Sequence, residues 1–164
     1  MKTIYLAGPD VFEPDPFAAG EALKQLCSEH GFEGLFPLDN AIEAFDHPHK
    51  TAEAIRKANI DLIRRADIVM ANLNPFRGFE PDSGTVYEVG FAEALGKPLF
   101  AYAADRRHML ERLREHQGLA ADAEQCLEGK NIESFALSHN LMFAHTLVAD
   151  DARNCLRHIA ERFS

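Results

Sequence analysis

The chain has 164 residues, 46% hydrophobic and 26% charged, with 12 phenylalanines. That composition buries a core and excludes a disordered chain. Its 17 Lys and Arg against 26 Asp and Glu leave a formal charge of -9, which disfavours nucleic acid and anionic membrane surfaces as partners but not a small neutral or cationic ligand.

Taken in chain order, Thr3 to Ala7 is a short apolar run closed by Gly8-Pro9, which predicts a buried strand and a turn. No signal-peptide core precedes it and no run of about 18 apolar residues follows, so a cytoplasmic protein without a membrane span is expected. Phe17 to His30 has helical periodicity and stops at Gly31. Gly34 to Leu38 is a second strand. Lys50 to Arg65 is the clearest amphipathic helix, with Ile55, Ala58, Leu62 and Ile63 on its apolar stripe. Asp67 to Leu73 is a third strand, and Gly84 to Leu95 a third helix stopped by Gly96-Lys97-Pro98. Leu99 to Ala103 is a fourth strand and Arg106 to Glu115 a fourth helix. Residues 116 to 140 show no regular pattern. Thr146 to Ala149 is a fifth strand and Asp150 to Arg162 a closing helix.

This alternation predicts one α/β domain over residues 1–164, a doubly wound sandwich with a central, mostly parallel five-stranded sheet. Ligands of such sheets bind beyond the C-terminal strand ends. Those ends carry residues 8–16, 39–49, 72–85 and the stretch from 104 onward. Three scattered cysteines, Cys27, Cys126 and Cys155, read as reduced thiols.

The first of these loops, AGPDVFEPDP, has one glycine, three prolines and the acids Asp10, Glu13 and Asp15. It suits neither a phosphate nor a dinucleotide. It reads either as a plain proline-rich turn or as a cover over a neutral ligand, with Gly8 at the strand end and Phe12 and Phe17 available for stacking. The loop after the third strand brings Asp82 and Glu88 to the start of a helix. Thr85 and Glu88 fit a capping box, in which Glu88 would only close the helix end. Alternatively Glu88, on a side shared with Thr85, Ala92 and Leu95, is an ionised and partly dehydrated nucleophile. Asp61, one turn from the end of its helix, is either an ordinary solvated acid near Arg64 and Arg65 or a second functional carboxylate. His47-Pro48-His49 lacks a third ligand, so no metal is expected.

Four motifs resemble the nucleoside 2-deoxyribosyltransferase family: IYLAGPDVF at 4–12, PLDN at 37–40, NIDLIRRADIVMANLNPFRGFEPDSGTVYEVGFAEALGKP at 59–98, and HNLM at 139–142. The PFRG-EPD-GT-E pattern is most similar to purine-preferring members. The resemblance implies a flavodoxin-like fold and a role in purine salvage. It implies reversible base exchange on 2'-deoxyribonucleosides, with free nucleobase as second substrate and no cofactor or metal. It also implies retention at the anomeric carbon through a covalent deoxyribosyl-glutamate. By the same resemblance Glu88 is the nucleophile and Tyr5 orients it. Asp82 holds the deoxyribose hydroxyl, and Asp61 faces the base and handles its proton. Asn140, with Met142, completes the site of a neighbouring subunit in a homo-oligomer. The rival readings are a hydrolase of 2'-deoxynucleoside 5'-monophosphates, which would need a phosphate pocket, and a non-catalytic nucleoside-binding module.

Overall fold

The computed structural model describes residues 1–40, 42 and 45–163. The elements run β1 (Thr3–Ala7), α1 (Pro16–Glu29), β2 (Glu33–Leu35), α2 (Pro48–Arg65), β3 (Ile68–Asn72), α3 (Ser83–Ala94), β4 (Leu99–Tyr102), α4 (Met109–Gln117), β5 (Leu147–Ala149) and α5 (Ala152–Phe163). The five strands form one sheet in the order β2-β1-β3-β4-β5, and every pairing is parallel. The doubly wound sandwich expected from the alternation is therefore present, with the 2-1-3-4-5 order of flavodoxin-like sheets.

Because side chains alternate across a strand, each central strand feeds two cores. Ile4, Leu6, Ile68, Met70, Phe100 and Tyr102 pack on the side covered by α1 and α5, with Cys27, Cys155, Leu156 and Ile159. Tyr5, Ala7, Val69, Ala71 and Ala101 face the other way, against Leu62, Ile63, Val89 and Ala92 of α2 and α3. The alanines on this second face leave room for α3 to approach the sheet closely. Burial pushes the Cys27 and Cys155 thiols up to about 12, so both stay protonated and unreactive at neutral pH.

Most boundaries fall within two residues of the sequence pattern; the end of β2 and the start of α4 differ by three, each for a local reason. The second strand is Glu33–Leu35, not 34–38, because Pro37 opens a 3-10 turn closed by Asp39, whose carboxylate accepts the Phe36 N–H at 2.8 Å. The fourth helix starts at Met109, since Asp105 accepts the Arg107 N–H at 3.0 Å and holds residues 105–107 in a turn. It then runs to Gly118, whose left-handed φ of 64° caps it. Within residues 116–140 a single antiparallel bridge joins Gln125 to Asn131. Of the 39–49 loop, residues 41, 43 and 44 lie outside the described residues.

Candidate active site

Tyr5 occupies an α2/α3-facing position of β1 and is fully buried. Its hydroxyl donates to Glu88 Oε1 at 2.8 Å. Burial, reinforced by the Glu88 charge, drives the Tyr5 pKa far above its usual value, so this phenol remains a donor. From α2, Asn59 Nδ2 donates to the same Oε1 in a longer contact of 3.4 Å. Burial lifts the Glu88 carboxyl to about 7, opposed by the Tyr5 hydrogen bond, raised further by the nearby Asp82 charge, and opposed again by Asn59. A half-buried carboxyl poised near neutrality and held by two donors on one oxygen leaves its other oxygen free of these contacts.

The capping-box alternative for Glu88 does not hold. α3 begins at Ser83, and its cap is Asp82, whose Oδ2 accepts the Thr85 N–H at 2.8 Å and the Thr85 hydroxyl at 3.0 Å. Thr85 is thus inside the first turn. Glu88 falls in the second turn with no capping duty, and its side chain turns to Tyr5.

Glu88 forms one wall of a cleft of about 430 Å³ between α2 and α3, lined also by Ile55, Arg56, Asn59, Gly84 and Tyr87. Arg56 donates to the Tyr87 hydroxyl at 2.9 Å and lies over its ring. The volume suits a small ligand. The sequence matches the nucleoside 2-deoxyribosyltransferase family profile over residues 4–142. The chain belongs to that family. A solved 2-deoxyribosyltransferase from Leishmania mexicana is 36% identical to it, with a TM-score of 0.83 and full coverage of both chains. The 2-deoxyribosyltransferase of Bacillus psychrosaccharolyticus is 25% identical, with a TM-score of 0.51, over 61% of this chain and 71% of that one. An uncharacterised Schizosaccharomyces pombe protein is 32% identical over 120 residues, which are 71% of this chain and 57% of the yeast protein. The chain thus spans a little over half the length of that curated relative.

Among the residues singled out from the sequence, this deoxyribosyltransferase-family fold brings Glu88, Tyr5 and Asp82 together. Asp61 is not brought to them. It lies two residues beyond Asn59, about 200° around α2, does not line the cleft, and pairs with Arg64 at 3.2 Å. The solvated-acid arrangement is the one observed. Gly8, at the end of β1, is a packing position: a Cβ there would lie 2.3 Å from Asp10 Oδ2 and 2.9 Å from Asn72 Cβ. Asp10 in turn accepts from Asn72 Nδ2 at 3.0 Å. Phe12 is exposed and stacks on Phe76 with ring centroids 5.0 Å apart, and the Arg77 guanidinium covers both rings. None of the three lines the Glu88 cleft. Arg77 holds this place with a left-handed φ of 52°. Asn140 caps a 3-10 turn at Leu141–Phe143, accepting the Met142 N–H at 3.1 Å and donating to Glu133 at 2.5 Å. Met142 is 69% exposed. Neither lines the cleft of its own chain.

Two residues of this region carry roles that the sequence reading missed. Asn59 left a signal, since it is the polar member of a stripe running through Ile55, Leu62 and Ile63. Arg112 left none. It is a charged residue in an exposed-looking helix, yet it is buried, with its guanidinium over the Phe79 ring and donating to the Ser138 carbonyl. It thereby ties α4 to the loop leading into Asp82 and to the segment before Asn140. The adjoining His139 donates its Nε2–H to the Leu73 carbonyl at 3.0 Å, and burial holds its imidazole down at about 4.

Proposed function

We propose that this chain exchanges the base of 2'-deoxyribonucleosides by two displacements at C1'. The observation that carries the reading is the Glu88 carboxylate, half-buried at the cleft wall with the Tyr5 hydroxyl 2.8 Å from one of its oxygens. Glu88 Oε2 attacks C1' as the N-glycosidic bond breaks. The bond's electron pair stays on the base nitrogen, which takes a proton from solvent, and the sugar is left as an ester of Glu88. A nitrogen of the incoming base then attacks C1' from the vacated face, gives its N–H proton back to solvent and frees the carboxylate. Two inversions give retention. The charge that develops on the sugar ring in each step is stabilised by the adjacent carboxylate. The chemistry needs neither redox cofactor nor metal.

Ionisation of Glu88 is required for attack, so kcat/KM is expected to rise with pH through about 7 in the free protein. Asp82 caps the head of α3, two residues before the cleft-lining Gly84, and the family resemblance has it hold the deoxyribose hydroxyl. The assignment of Asp61 to the base rests on the resemblance alone. Asn140 and Met142, which do not line the cleft of their own chain, are read as completing a neighbour's site in a homo-oligomer. Purine preference and salvage of purines are what the likeness of the PFRG-EPD-GT-E pattern to purine-preferring members implies.

Incubation with deoxyinosine and either adenine or cytosine, with products separated by chromatography, tests the reading. The expected products are hypoxanthine and the new deoxynucleoside, formed by the wild type and absent with a folded Glu88→Ala variant. Exchange by that variant would refute the mechanism. Running deoxyinosine beside its 5'-monophosphate separates exchange from monophosphate hydrolysis, which would show as preference for the phosphorylated substrate without acceptor dependence.

A further inference from the structure

We propose that Asn59 is a positioning residue for the nucleophile, fixing one Glu88 oxygen jointly with Tyr5 so that the other is aimed into the cleft. The inference rests on the reading of Glu88 as nucleophile and adds a residue to it.

The geometry carries the proposal in three steps. First, Asn59 Nδ2 and the Tyr5 hydroxyl converge on the same atom, Glu88 Oε1, from two different elements. A carboxylate held by one donor can still swing about that contact. Held at one oxygen from β1 and from α2, it has a defined plane and a defined free oxygen. Second, Asn59 lines the cleft together with Glu88, so the contact is made at the reaction face and not behind it. Third, Asn59 Oδ1 is buried and has no hydrogen-bond partner among the described residues. Turning the amide over would set that oxygen against the carboxylate oxygen, two acceptors face to face. The amide is therefore oriented by Glu88, in the one rotamer sense that leaves its own oxygen unpaired. A side chain kept for stability would not be placed this way, because a buried unpaired acceptor opposes folding.

The contrast between stability and activity gives the test. Asn59→Leu retains much of the volume while deleting both the donor to Glu88 and the unpaired acceptor. Asn59→Ala serves as the second variant should leucine be refused by the cleft wall. The expected result is a melting temperature equal to or above that of the wild type, kcat lowered about tenfold or more, and KM for the deoxynucleoside changed little. A role confined to structure predicts the opposite pattern, a lowered melting temperature with kcat preserved.

The second readout needs no turnover. The titratable or charged groups around Glu88 are Tyr5 on β1, Asp82 at the head of α3 and Arg56 on the α2 side of the cleft. Infrared titration of the Glu88 carboxyl, taken as the difference between each protein and its Glu88→Gln counterpart, isolates that group. Removing the Asn59 donor disfavours the charged form, so the midpoint of Asn59→Leu is expected above that of the wild type. An unmoved midpoint, or an unchanged kcat, overturns the role of Asn59. Activity in Glu88→Ala, measured alongside, would instead overturn the nucleophile assignment and leaves the infrared comparison to decide on Asn59 independently.

Discussion

Replacing Tyr5 by Phe removes one oxygen and leaves the ring in place against the second core face. The lost oxygen is the shorter of the two donors to Glu88 Oε1, at 2.8 Å. A hydrogen bond to a charged group contributes about 1.5–3 kcal/mol, and each 1.36 kcal/mol moves a pKa by about one unit. The Glu88 carboxyl already stands at about 7 in the intact protein. Without the Tyr5 donor the ionised form loses about 1–1.5 kcal/mol more than the neutral form, so the acid limb of kcat/KM is expected to move up by roughly one pH unit. Stability follows the same sign. The native carboxyl keeps its proton up to about pH 7, whereas the unfolded chain releases it near 4.5. Wild-type stability therefore declines as pH rises through that window. At pH 8.5, with Glu88 ionised, the variant is expected to lose about 1.5–3 kcal/mol, against about 0.5–1.5 at pH 5.5, where only a neutral hydrogen bond is lost. Urea melts at the two pH values, with pH-rate profiles of both proteins, read these quantities. A loss independent of pH, together with an unmoved acid limb, would refute the coupling of Tyr5 to Glu88.

Gly8→Ala places a Cβ against Asn72 Cβ and the Asp10 carboxylate, and a thermal melt should show a loss of roughly 1–3 kcal/mol; an unchanged melting temperature contradicts the packing argument. Asp61→Asn breaks an exposed pair with Arg64, so exchange should change by no more than about threefold, as surface pairs contribute about 0–1 kcal/mol. A folded variant slowed about a hundredfold would give the base's proton to Asp61 after all. If Asn140 and Met142 serve a neighbour, specific activity should fall on dilution in step with dissociation followed by sedimentation, and a fully active monomer would remove the shared site.

Periodicity carried the fold because the central strands are buried on both faces and the helices between them are amphipathic. The two-sided division of Ile4 and Leu6 from Tyr5 and Ala7 needs only the alternation of a strand. Tyr5 and Glu88 were legible through resemblance, and their meeting follows from Tyr5 facing α3. The capping of α3 was not legible. Both Asp82 and Thr85 are good caps, and the choice between them depends on where the incoming PFRGFEPD loop enters the helix. The loop is shaped by the Phe12–Phe76–Arg77 stack and by the Phe76–Glu80 backbone contact at 3.0 Å, neither of which a local pattern encodes. Asp61 and Asn59 show the same limit. Both lie near the apolar stripe of α2, and a rotation of 200° decides which one meets Glu88. Burial of Arg112 depends on Phe79 and Ser138, 33 and 26 residues away, and had no trace in its own helix.

The central claim is a transient bond between the Glu88 carboxyl and the sugar. Incubation with a 2'-deoxy-2'-fluoro nucleoside, whose fluorine slows breakdown of the ester, followed by proteolysis and mass mapping, tests it directly. The fluorosugar is expected on the peptide that carries Glu88, at that residue. A label on another residue, or turnover of the analogue with no protein adduct at any time, would contradict the account.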